Sequence, residues 1–134
     1  MDENKIAGWD IEIADVLPPD ADWKDHLPLK VSCASLVLGE ETLTWWGGAK
    51  EGRIDDYMSE KELSEMADFI AYFADLGWTI CSWNGLGFDF RVVWEFMKHE
   101  RTYRYRNDYM NMVLAHTDMM FHFLCVKGYP LGLA

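Results

Sequence analysis

Thr79-Ile-Cys-Ser-Trp-Asn-Gly-Leu-Gly-Phe-Asp-Phe90 runs from a short apolar stretch, through Asn84-Gly85 and Gly87, into a new amphipathic segment that opens at Phe88. The order predicts strand, tight turn, helix. Asn and Gly adopt backbone angles that other residues resist. The turn therefore belongs at 84–87, and Asp89 falls in the first turn of a helix at the carboxyl end of a strand. Ligand sites in α/β sheets favour that edge. An acid at this position also complements the helix macrodipole, so Asp89 by itself does not decide the chemistry.

Upstream, Ser59-Glu-Lys-Glu62 has the spacing of a capping box, and Leu63, Met66, Ile70 and Phe73 recur on one helical face before Gly77. A helix there, leading into a strand at Trp78–Trp83, makes a right-handed crossover that sets this strand parallel to an earlier one. The earlier strand is Ile6–Ala14. Leu29–Leu38 and Thr42–Trp46, separated by a turn at Gly39-Glu-Glu41, read as two more strands and complete an antiparallel meander. Residues 16–28 form a polar, Pro-rich connection. The expected fold class is α/β, a mixed sheet of a three-stranded antiparallel meander plus a parallel strand with flanking helices. It forms a single domain over 1–134, with no internal repeat or low-complexity tract.

Within the first strand, Ile6-Ala-Gly-Trp-Asp-Ile-Glu-Ile-Ala14, Asp10 and Glu12 are two positions apart and leave the same face. Neighbouring like charges destabilise a strand unless a cation lies between them, and a hard divalent ion suits two carboxylates. A solvated face also fits an isolated Asp-x-Glu. Asp89, at the carboxyl end of the parallel strand, tips the reading towards a metal site.

Composition bounds the rest. Half of the 134 residues are hydrophobic and 15% are aromatic, which favours a packed core over disorder. No apolar run approaches the ~18 residues of a bilayer-spanning helix, and Met1-Asp-Glu is unlike a signal peptide. The expectation is a cytoplasmic protein without a membrane partner. Cys33, Cys81 and Cys125 are read as reduced core thiols. Met110, Met112, Met119 and Met120, near Phe121 and Phe123, are read as flexible core packing. His99, His116 and His122 lack zinc spacing and are read as polar contacts or surface residues.

The net charge of −11 opposes nucleic-acid binding, but it is uneven: residues 1–75 hold 18 acids and 6 bases, whereas residues 76–134 hold 5 acids and 6 bases. Arg91, Lys98, Arg101, Arg104 and Arg106, interleaved with Tyr103 and Tyr105, are suited to phosphate contact and base stacking.

Trp9-Asp-Ile-Glu12 resembles the first motif, and Trp83-Asn-Gly-Leu-Gly-Phe-Asp89 the second, of the DEDD-type 3′–5′ exonucleases of the ribonuclease H-like superfamily. The nearer likeness is to predicted exonucleases related to the proofreading domain of family B DNA polymerases. His116-Thr-Asp-Met-Met120 and Phe121 to Pro130 resemble the segment that follows the second motif, so the likeness covers nearly the whole chain. It implies a ribonuclease H-like fold and metal-dependent hydrolysis of terminal phosphodiesters in single-stranded DNA or RNA. It further implies two Mg²⁺ or Mn²⁺ ions, bridged by Asp10, with Glu12 on the ion that activates water and Asp89 on the other. Asn84, Phe88, Arg101, Arg104 and Arg106 are the expected nucleic-acid contacts.

One departure carries weight. The family's third motif, Tyr-x-x-x-Asp or His-x-x-x-x-x-Asp, supplies a fourth metal-binding Asp and occurs nowhere here: Tyr103 is followed four residues on by Asn107, and Tyr105 by Tyr109. Asp118 belongs, in the family pattern, to an intervening segment and is not that fourth ligand. The expectation is a C-terminally short form with a weak second ion and weak or no activity alone. A homodimer or a partner chain would supply the missing part. The alternative is a ribonuclease H-like module, catalytically dead, that binds nucleic acid or protein.

Overall fold

The computed structural model describes residues 5–97, 110, 113–114 and 116–128. Lys98, Arg101, Arg104, Arg106 and the two interleaved tyrosines lie outside the described residues, as do His99 and Met112.

The strands are β1 (Ile6–Ile13), β2 (Val31–Leu38), β3 (Glu41–Trp46), β4 (Thr79–Ser82) and β5 (His116–Asp118). The helices are α1 (Glu60–Asp75), α2 (Asp89–Met97) and α3 (Met119–Lys127), and short 3₁₀ turns occupy Trp23–His26 and Ala49–Glu51. The strands form one sheet in the order β3-β2-β1-β4-β5. β1 pairs antiparallel with β2, and β2 with β3, which is the expected meander; β1 and β4 run parallel, as do β4 and β5. This is an α/β architecture with a mixed sheet and flanking helices. β5 was not foreseen, because a three-residue strand is too short to carry a periodic signal.

Alternation along β1 sets the two faces of the sheet. Ala7, Trp9 and Ile11 are buried, while Gly8, Asp10 and Glu12 are exposed on the opposite side. The buried side packs with Leu63, Met66 and Ile70 of α1 and with Phe90, Val92 and Val93 of α2. Each such buried aliphatic side chain contributes roughly 1.5–3 kcal/mol relative to exposure. The Trp9 and Phe90 rings, 4.9 Å apart, fix α2 over β1.

The capping box of α1 is complete: the Glu62 amide donates to Ser59 Oγ at 3.2 Å, and the Ser59 amide donates to Glu62 Oε2 at 2.7 Å. Glu62 Oε1 also accepts from the Gly48 amide at 2.8 Å, which ties the helix to the turn after β3. Desolvation pushes the Glu62 carboxyl up, but these amides and the Ser59 hydroxyl outweigh it and hold the group below its ordinary value. Gly77, with φ at 93°, takes the left-handed position that ends the helix.

Two expectations about packing require correction. Cys33 and Cys81 are only half-buried and Cys125 is exposed, so the three free thiols are not core residues. Met110 and Met119 are likewise 45% and 41% exposed. The common cause for Cys125 and Met119 is α3, an apolar helix none of whose residues is fully buried. No helix among the described residues is long and apolar enough to cross a membrane.

Candidate functional site

The site grows from the end of β4. Ser82 is followed by a turn in which Asn84 has φ at 60°, a left-handed conformation in which Asn is enriched. The Phe88 amide donates to the Asn84 carbonyl at 2.9 Å and the Phe90 amide to that of Gly85 at 2.9 Å, starting α2 with Asp89 as its first residue. Gly85 and Gly87 serve close approach, not unusual backbone angles. A Cβ on Gly85 would overlap Ser82 Oγ, and one on Gly87 would overlap Asn84 Oδ1.

Asp89 is only 3% exposed. Desolvation raises its carboxyl to about 7, with further upward pressure from the charges of Asp10, Asp118 and Glu12, partly opposed by a backbone hydrogen bond. Four carboxylates therefore share one electrostatic neighbourhood, at the carboxyl ends of the parallel strands β1 and β4. Asp10 and Glu12 are reached from the open sheet face, where they lie opposite Ser35 and Cys33 of β2. A groove of about 430 Å³ runs along that face beside Asp10, lined by Gly8, Val37, Cys81, Trp83 and Met119.

Asp118, the last residue of β5, is 6% exposed. Its Oδ1 accepts the amides of Asn84 at 3.0 Å, Met120 at 3.0 Å and Phe121 at 3.1 Å, and its Oδ2 accepts that of Leu86 at 3.1 Å. Two residues earlier, His116 Nε2 lies 2.6 Å from Ser82 Oγ, which also accepts the Gly85 amide at 2.9 Å. Burial depresses the His116 imidazole to about 4 despite the nearby Asp118 charge. The ring is therefore neutral, and its Nε2 and the Ser82 hydroxyl share one hydrogen bond whose donor is set by the tautomer.

The structure thus brings Asp10, Glu12 and Asp89 to one edge, with Asn84 in the turn beside them. Phe88 packs edge-on against Trp23, with ring centroids 4.9 Å apart. Arg91 is paired with Glu95 at 3.6 Å on the surface of α2. Sequence reasoning set Asp118 aside as a metal ligand and did not foresee that it and Ser82 build the turn, whereas His116 makes a polar contact, one of the roles expected of it. A signal existed for Asp118, an Asp directly before the apolar run Met119–Val126, which is an N-cap position.

The donor set is oxygen-only and mutually repulsive, which fits a hard divalent cation. Among the described residues, however, no three His, Cys, Asp or Glu side chains converge closely enough to form a ready metal cage. Comparison of the chain with protein-family models, curated proteins and solved structures finds no match.

Proposed function

We propose that this chain is a ribonuclease H-like, metal-dependent 3′–5′ exonuclease domain. It acts in the cytoplasm on terminal phosphodiesters of single-stranded DNA or RNA and is weak or inactive alone. The observation that carries this reading is the placement of buried Asp89, at the start of α2 after β4, within the charge field of Asp10 and Glu12, which share the open face of the neighbouring parallel strand β1.

Asp10, Glu12 and Asp89 would hold Mg²⁺ or Mn²⁺. Such ions, when bound as a pair, stabilise the attacking and leaving oxygens of an in-line displacement. Asp89 keeps its proton up to about pH 7, so the full negative charge of the site is present only above neutrality. The Phe88–Trp23 pair beside it offers an aromatic surface on which a base can stack. The sequence holds no counterpart of the third-motif Asp, and a second copy or a partner chain is the proposed source of that ligand.

The test is incubation of the purified chain with a 5′-labelled single-stranded DNA and Mn²⁺, with Asp10→Ala as control. A ladder of shortening products that the variant abolishes supports the enzyme. The second reading is a ribonuclease H-like binding module that has lost catalysis. A mobility shift shared by both proteins, without a ladder, would establish it.

A further inference from the structure

We propose that Asp118 is the positioning residue of the carboxylate centre. It anchors the Asn84–Leu86 turn to the start of α3 and so sets Asp89 against Asp10 and Glu12, without binding a cation itself. The inference rests on the metal-dependent reading above.

A residue that only capped α3 would need the amides of Met120 and Phe121 and nothing more. Asp118 reaches further. Its bonds to Asn84 and Leu86 cross 34 and 32 residues of sequence, from β5 to the turn after β4. The parallel register makes this reach possible, because Asp118 lies level with Ser82, where the turn begins. The turn needs such an anchor. It holds Asn84 in a left-handed conformation and delivers Asp89 into a buried, negatively charged setting, and both oppose its closure.

The same bonds argue against Asp118 as a ligand. An ionised carboxylate offers about four acceptor sites, and Asp118 receives four amide donors. Three of them fall on Oδ1, which leaves it no lone pair for a cation, and the remaining site on Oδ2 belongs to a residue only 6% exposed. Ser82 and His116 brace the turn from the other end of β5 through the Gly85 amide.

The experiment compares Mn²⁺ affinity, read by electron paramagnetic resonance, in wild type, Asp118→Ala, Asp118→Asn and Asp89→Asn, each shown to be folded by circular dichroism. Asn keeps an oxygen for the three amides on Oδ1 and loses only the Leu86 bond. We expect Asp118→Ala to weaken Mn²⁺ binding about tenfold or more, the range seen when outer-shell partners are removed, and Asp118→Asn, which loses only the Leu86 bond, to weaken it less. Asp89→Asn should abolish binding. Wild-type affinity in folded Asp118→Ala, with only a lower melting temperature, would reduce Asp118 to a helix cap and overturn the proposal. A loss in Asp118→Asn as complete as in Asp89→Asn would make it a ligand, and also overturn it. If Asp118→Ala does not fold, Asp118→Asn decides, together with faster hydrogen exchange at the Leu86 amide. Absence of saturable Mn²⁺ binding in wild type is a different failure, that of the metal reading itself.

Discussion

Ser82 Oγ and His116 Nε2 lie 2.6 Å apart and join β4 to β5 directly beneath the turn that presents Asp89. Because burial holds the imidazole at about 4, the folded protein resists a proton that the unfolded chain takes up near 6.5. The stability this pair contributes is therefore complete above pH 6.5 and is lost as pH falls through about 4. In His116→Asn, urea midpoints at neutral pH and at about pH 4.5 should differ by less than in wild type. An unchanged difference would mean that other groups govern the acid limb.

Asp89 has the opposite sign. Its carboxyl is raised from 3.8 to about 7, so its contribution to stability is full below 3.8 and is lost as pH rises through 7. Asp89→Asn removes the buried charge and should stabilise the metal-free protein at about pH 8, by an amount on the order of 2 kcal/mol. Thermal melts with and without Mn²⁺ check this. Mn²⁺ should raise the wild-type midpoint and leave that of Asp89→Asn in place.

Gly85→Ala should be among the more damaging small substitutions in the chain. The added methyl would overlap Ser82 Oγ and meet His116 Cε1 at 3.2 Å, forcing apart the two groups that close β4 onto β5. A loss of about 1–3 kcal/mol by chemical denaturation is expected from such overpacking. Gly52→Ala, where a Cβ meets nothing within 4 Å, separates this steric effect from left-handed strain, since its φ is 70°.

Glu62→Gln tests the joint between α1 and the turn after β3. The carboxylate accepts two backbone amides, and the amide side chain keeps one acceptor oxygen, so a loss of about 1–2 kcal/mol is expected at neutral pH. Since the Glu62 carboxyl is depressed, its stabilisation is present above its ordinary value of 4.5 and fades as pH falls below it. Wild type and variant should converge in acid, as read by urea midpoints at about pH 3.

Much of the framework is legible in the sequence. The alternation at Ala7–Glu12, the Ser59–Glu62 capping box and the Asn84–Gly87 turn are local signals. Each is expressed within a few residues by backbone geometry and side-chain spacing, and each appears where it was expected. Cys125 and Met119 were misjudged because apolar character tells that a residue can be buried, not whether anything arrives to cover it.

The sequence by itself determined the order of elements from β1 to α2, the shared face of Asp10 and Glu12 and the placement of Asp89 at a helix start, because strand and helix periods are properties of the chain alone. The tertiary structure alone decided that Asp118 and His116 lie beside the turn that carries Asp89. It also decided that Asp89 is buried near three other carboxylates and holds its proton to about 7. Pairing β5 with β4 joins residues more than thirty positions apart. Desolvation and charge proximity exist only once that pairing has formed.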